Sequence, residues 1–222
     1  MTTSRTIHVS GLGNRTKFVV AMRMILLAAL AAIASASAIA ATDGPLGQIP
    51  AFKLLDVDGR DATLEDWTGK KAVILFFVGA ECPVSNGYSP LMQRLADKYA
   101  PQGVACWAVH CDPTIDAESA AAHALEYGLK FRVVLDPAQA LAEPAGVRVT
   151  PEAVVALPAG KVLYRGRIDD RYSSDGRRRD RPRVNDLEDA LEAVLAGGEP
   201  KVSQTVAFGC PLPKPKAGSA VN

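Results

Sequence analysis

Cys82 stands in the run Phe76-Phe77-Val78-Gly79-Ala80-Glu81-Cys82-Pro83-Val84-Ser85-Asn86, and its neighbours suit a reactive thiol. The apolar stretch before it reads as a buried strand, Gly79 to Glu81 as a tight turn, and Pro83 as the first residue of a helix, where its missing N–H is not needed. A sulfur at that helix start meets unpaired backbone N–H groups and the positive end of the helix dipole. Both favour the thiolate, which is the nucleophile and the metal ligand. A free cysteine is more often a small buried hydrophobe. A strand-to-helix turn closed by proline is not the apolar face of a helix, however, so redox or nucleophilic chemistry is the preferred reading.

The elements that must hold this cysteine follow from hydrophobic periodicity. Residues 51–67 alternate loosely around Asp58-Gly59 and predict an N-terminal hairpin. A strand is expected over 72–78 and a helix over 83–99, whose Tyr88, Leu91, Met92, Leu95 and Tyr99 share one face. Next come a strand over 104–110, a helix over 116–127 capped by Asp116, a strand over 131–135 and a short helical turn over 137–143. A hairpin, 153–157 with 162–166, turns at Pro158-Ala159-Gly160, and a last helix spans 185–195 before Gly197. This order predicts an α/β fold, a central mixed sheet flanked by helices with an N-terminal hairpin extension.

Residues 1–40 carry Arg5, Arg15, Lys17 and Arg23 and no acid, then an alanine-rich apolar run and a small-residue ending, Ala38-Ile39-Ala40. That is the order of a secretory signal peptide, with an uncleaved anchor as the alternative. Export to the periplasm or beyond is therefore expected, with no stable membrane span once the leader is removed. Of the 25 Lys and Arg residues, the leader's four removed leave 21 against 24 acids, so the mature chain is near −3 and no nucleic-acid partner is indicated. The domain is expected over 41–198, and 199–222 reads as a Pro- and Lys-rich tail, mobile or draped over the domain, containing Cys210. The four cysteines, Cys82, Cys106, Cys111 and Cys210, are too few and too irregular for a structural disulfide framework.

Cys82, Ser85 and Pro90 resemble the Cys-x-x-Cys helix of thioredoxins, with serine at the second cysteine and the helix proline eight residues after the first. Thr150-Pro151-Glu152-Ala153, just before the hairpin, matches the place of the thioredoxin cis-proline. Over residues 49–195 the chain thus resembles a thioredoxin-fold redoxin, in the branch that includes the alkyl hydroperoxide reductase and thiol-specific antioxidant family and exported thioredoxin-like reductases. The resemblance implies a thiol oxidoreductase that needs no cofactor and meets a thiol or disulfide protein partner, or a peroxide. It assigns Cys82 as nucleophile, Ser85 and the helix start as thiolate stabilisers, and Pro151 as the residue presenting a backbone edge to substrate.

Two departures qualify that assignment. Peroxiredoxins place a threonine or serine three residues before the cysteine and a proline seven before it, where this chain has Gly79 and Leu75. Dithiol reductases need a sulfur where Ser85 stands, and a hydroxyl cannot close a disulfide. Another thiol must then resolve an oxidised Cys82, from a partner or from this chain. Cys210 on the tail is the first candidate and Cys111 at a strand end the second; Cys106 reads as core. Cys210 is equally readable as an odd exposed thiol. Disulfide and peroxide substrates are not separated by these residues.

Three further features have readings of their own. His110-Cys111-Asp112 with Cys82 invites a soft-metal site, but the copper chaperones of this fold resemble Cys-x-x-x-Cys and Asn86 stands at that offset, so no metal is assigned. Residues 165–183 hold eight arginines and four aspartates and read as a solvated, ion-paired loop rather than an anion dock. Arg148 is a candidate cation beside the Cys82 thiolate. The alternative to an enzyme is a non-catalytic binding module of the same fold, such as a copper or partner-protein chaperone.

Overall fold

The computed structural model describes residues 46–172 and 176–215, so the expected leader lies outside the described residues. Strand β3 (Ala72–Val78) is buried at all seven positions. Ala72, Ile74, Phe76 and Val78 enter one core cluster, and Val73, Leu75 and Phe77 enter another. A strand covered on both faces has no reason to alternate, which explains its unbroken apolar run.

The other strands arrange around β3. They are β1 (Lys53–Asp56), β2 (Asp61–Thr63), β4 (Val104–His110), β5 (Arg132–Leu135), β7 (Glu152–Ala156) and β8 (Val162–Gly166), in the sheet order β2-β1-β5-β4-β3-β7-β8. Strands β3, β4 and β5 run parallel, and both flanks are antiparallel. The N-terminal hairpin is part of this sheet, since β1 pairs with β5 through Leu55↔Leu135. A second, two-stranded sheet joins β6 (Val149–Thr150) to β9 (Cys210–Pro211).

Helices α1 (Pro83–Tyr99) and α4 (Asp186–Leu195) bring Tyr88, Met92, Leu95 and Tyr99, and Leu187, Leu191 and Val194, to one face of the sheet. Helix α2 (Ala117–Glu126), capped by Asp116, adds Ala120 and Ala124 to it. The other face is closed by Phe52, Trp67 and Trp107, stacked edge to face, and by Leu141, Ala142 and Ala145 around the short helix α3 (Ala142–Ala145). Each large side chain so buried contributes about 1.5–3 kcal/mol.

Helix α3 begins later than the helical turn expected over 137–143. The Asp136 carboxylate accepts the backbone N–H groups of Ala140, Leu141 and Ala142 at 2.6–3.1 Å, and Gln139 adopts φ 57°. This side-chain cap uses the donors of 140–142 and postpones the helix. No helix among the described residues is long and apolar enough to cross a membrane.

Of the two readings of the tail, the described residues bear out draping. Arg165 N–H donates to the Ser203 carbonyl at 3.0 Å and Thr205 N–H donates to the Arg165 carbonyl at 3.1 Å, the Thr205 hydroxyl meets Tyr164, and Phe208 stacks on Tyr172 at 6.3 Å. Further on, Leu212 N–H donates to the Arg148 carbonyl at 2.9 Å.

Candidate active site

Strand register brings the site together. In the β3–β7 pair Phe77 faces Glu152, so the turn that leaves β3 lies beside the start of β7. The Thr150–Pro151 peptide bond there is cis, as the thioredoxin resemblance implies. Cys82 is the N-cap of α1, with extended backbone and Pro83 next to it, and its residue is 3% exposed. Its thiol donates to the Thr150 carbonyl at 3.0 Å, and its sulfur accepts the Ser85 N–H at 3.5 Å.

Ser85 contributes in a different way from that expected of its hydroxyl. The sulfur is met by the Ser85 backbone N–H, while the hydroxyl accepts the Gly79 N–H at 3.3 Å and so braces the turn. That turn is also held from α2. Asn86 donates through Nδ2 to the Ala80 carbonyl at 2.8 Å and meets His123 Nε2 through Oδ1 at 2.9 Å. His123 lies edge-on to His110, which is buried and pushed down to about 4 by that burial, so it stays neutral. Neither this brace nor the buried histidine pair was anticipated, because His123 reads as an ordinary helix residue.

The tail completes the site. In the β6–β9 pair Cys210 is the register partner of Thr150. Gly209 makes the approach possible: a Cβ there would stand 2.0 Å from the Thr150 oxygen and 2.6 Å from its carbon. Only a residue without a side chain fits that contact. Burial alone would raise the Cys82 pKa, but hydrogen bonds from the Cys210 thiol, the Ser85 N–H, the Thr150 side chain and the Cys210 N–H together bring it below the ordinary thiol value. Cys210 moves the other way. Burial, its hydrogen bond to Cys82 and the Cys82 charge push it up to about 11. Of the two thiols Cys82 is therefore the one that ionises more readily.

The remaining candidates separate from this centre. Cys111 lies on the opposite sheet face from α1, in the cluster of Trp67 and Trp107, with its thiol toward Asp136 Oδ2 at 3.8 Å. It is therefore not placed to resolve Cys82. Cys106 is buried within β4 and pushed up to about 12, in keeping with a core residue. His110 and Cys111 face opposite sides of one strand, and no cluster of three metal-ligating side chains occurs among the described residues. Arg148, expected as a cation beside Cys82, meets Glu152. Its backbone N–H donates to Glu152, and its charge lowers the Glu152 carboxyl against the rise from burial. The arginine run is paired in the described part, through Arg167–Asp186, Arg171–Asp169 and Arg179–Asp170.

A cysteine at a helix start, opposite a cis-proline and beside a mixed sheet, is the arrangement of a thioredoxin-fold protein. The thioredoxin domain of a thiol-disulfide oxidoreductase from Bacteroides vulgatus shares this fold, with a TM-score of 0.52 and 20% identity over 69% of this chain and 99% of that one. The model of the AhpC/TSA family matches residues 46–165, and the chain belongs to that family.

Among curated proteins the chain is 33% identical over 116 residues to the thiol-disulfide oxidoreductase ResA of Bacillus thuringiensis, covering 52% of this chain and 65% of that protein. It is likewise 33% identical over 114 residues to ResA of Geobacillus thermodenitrificans, covering 51% and 63%. The chain thus spans just under two thirds of the length of these relatives. Among solved structures, an uncharacterized conserved protein from Geobacillus kaustophilus aligns at TM-score 0.67 and 30% identity, covering 78% of this chain and 94% of that one. A hypothetical protein from Sinorhizobium meliloti aligns at 0.67 and 26%, covering 77% and 95%.

Proposed function

We propose that this protein is a thiol-disulfide oxidoreductase in which Cys82 is the nucleophile and Cys210 the resolving thiol. One observation carries the proposal: two cysteines far apart in sequence both meet Thr150 beside the cis-proline, Cys82 through its thiol on the Thr150 carbonyl and Cys210 as the strand partner of Thr150. The similarity to ResA supports the reaction class.

In the first step the Cys82 thiolate attacks one sulfur of a partner disulfide. A mixed disulfide forms, and the partner's other sulfur leaves as a thiolate. The negative charge on Cys82 is then gone, and with it two of the causes that hold Cys210 protonated. In the second step Cys210 loses its proton and attacks the Cys82 sulfur. The Cys82–Cys210 disulfide closes and the partner departs as a dithiol, two electrons having passed to it. The Ser85 N–H and the helix start stabilise the attacking thiolate, and the backbone of Thr150 and Pro151 holds the edge along which β9 aligns.

A disulfide suits the site better than a peroxide. Gly79 stands where a peroxidase hydroxyl would be, and a Cβ there would lie 2.8 Å from Thr150 Oγ1 and 3.1 Å from Cys82 Cβ. The leader supports a place for this exchange outside the cytoplasm, where disulfides persist. The test is peptide mapping after turnover of a small peptide disulfide. A Cys82–Cys210 link with catalytic turnover is expected. Cys82 joined to Cys111, linked between chains or present only as sulfenic acid would overturn the resolving role. Tight Cu(I) binding without turnover would favour the chaperone alternative.

A further inference from the structure

We infer that Tyr172 and Phe208 are positioning residues for the resolving step: the stack of Tyr88, Tyr172 and Phe208 ties the tail to the helix that starts at Cys82, and so holds Cys210 ready to close on it. This deepens the reading above and rests on its Cys82–Cys210 disulfide.

The pairing of β9 is too slight to hold Cys210 by itself. Strand β9 has two residues and pairs with β6, also of two, and an isolated two-stranded pair is marginal in water. On either side, the backbone is anchored by the Thr205 N–H on the Arg165 carbonyl and by the Leu212 N–H on the Arg148 carbonyl. Between Thr205 and β9, Val206 is 71% exposed, whereas the Phe208 ring lies on Tyr172 within 13° of parallel. Phe208 therefore fixes the chain just before Gly209 and Cys210.

The other end of the stack is rooted in α1. Tyr172 meets Tyr88 at 5.5 Å between ring centres, and its hydroxyl lies over Gly87, where a Cβ would stand 3.3 Å from it. Tyr88 belongs to the helix that Cys82 caps, is buried, and donates its hydroxyl to the Asp169 carboxylate. Asp169 also accepts the Arg171 N–H at 2.9 Å and pairs with the Arg171 guanidinium, which covers the Tyr88 ring. Residues 169–171 are thus pinned to α1, and they deliver Tyr172 to the tail.

Closing the disulfide is an intramolecular step, and its rate follows how often the two sulfurs stand within reach. Loss of either outer ring frees residues 206–209 and lowers that fraction. The Ser85 N–H and the Thr150 carbonyl at Cys82 are left in place.

The probe is 5,5′-dithiobis(2-nitrobenzoate), a small disulfide, mixed with an equal amount of protein. The Cys82 thiolate bonds to one reagent sulfur and releases a first 2-nitro-5-thiobenzoate. Cys210 then gives its proton to water, bonds to the Cys82 sulfur and releases the second, so the reagent takes up two electrons in all. Phe208→Ala and Tyr172→Ala are each expected to slow the second release by about three- to tenfold, the worth of one aromatic pair, with the first no slower. The double variant is expected to release the second chromophore as fast as either single variant, because one change already breaks the stack. Phe208→Tyr keeps the ring and is expected to restore the wild-type rate within about twofold; circular dichroism establishes that each variant is folded. An unchanged second release in Phe208→Ala, equal slowing of both releases, losses that multiply in the double variant, or no rescue by Phe208→Tyr overturns the inference. Failure of the proposed function shows in the wild type alone: a single release, with Cys82 left joined to the chromophore and no Cys82–Cys210 link, overturns that reading and the positioning role with it.

Discussion

Cys82 and Cys111 leave the same edge of the sheet, after parallel strands β3 and β4, and they are buried almost equally, at 3% and 1%. Their thiols nevertheless shift in opposite directions. Cys82 is lowered because hydrogen-bond donors from α1, β6 and β9 outweigh its burial. Cys111 is raised well above the ordinary value by burial and by the adjacent Asp136 charge. Depth is common to both and cannot be what sets the two directions. The sign of the groups around each sulfur decides.

The largest test of this contrast is deletion of each sulfur. Cys82→Ser is expected to reduce disulfide-exchange turnover by about a thousandfold or more, because no thiolate remains at the helix start, while Cys111→Ser leaves it within about twofold. A steady-state assay on a peptide disulfide checks both. Comparable losses in the two variants would erase the distinction.

Next in size is Cys210→Ser, expected to complete the first exchange and then stall with substrate joined to Cys82. Single-turnover kinetics with mass spectrometry reads this. Sustained turnover at the wild-type rate would mean that another thiol resolves the mixed disulfide.

A smaller effect concerns the donors themselves. Thr150→Val removes the side-chain hydrogen bond to Cys82, so the thiol pKa rises and alkylation at neutral pH slows by about two- to fivefold. The pH profile of alkylation must move to higher pH, not merely lose amplitude. The sign for stability follows from the same shift. With its folded pKa below the unfolded value, the Cys82 anion stabilises the fold above the unfolded thiol pKa, and that contribution is lost as pH falls through the folded pKa.

The Cys111 side offers the smallest and most local test. Burial raises the Asp136 carboxyl from 3.8 to about 6 against the opposing backbone N–H groups, so its protonated form favours folding below 3.8 and that contribution is lost as pH rises through about 6. Asp136→Asn is expected to flatten the stability profile across that window and to lower the Cys111 pKa. Chemical denaturation between pH 4 and 7 measures the first effect, and an unchanged slope would refute it.

Much of this contrast was legible in the residues. The unbroken apolar β3, the Gly79–Glu81 turn and Pro83 place Cys82 at a helix start by local rules alone, and Thr150-Pro151 before a hairpin marks the cis bond. Long-range pairing was harder to read. Nothing local in Phe208-Gly209-Cys210-Pro211 says that it pairs with Thr150, although a glycine just before a cysteine is a hint of close backbone approach. The Asn86–His123 brace joins two helices through a contact that no periodicity encodes. The contact of Arg148 with Glu152 was not legible either, because two residues of sequence separation from Thr150 say nothing about which carboxylate a flexible cation meets.

The position of Gly209 against the Thr150 carbonyl also has a consequence for the time at which the centre matures. A chain is made from its N-terminus, and the sheet, α1 and the cis-proline strand all precede β9 in that order. A chain that stops before Gly209 therefore lacks the strand that covers the Cys82 sulfur. A nascent form ending before Gly209 should be modified at Cys82 by a bulky maleimide that the complete protein resists, and equal labelling of the two would show that the last strand gives no such protection.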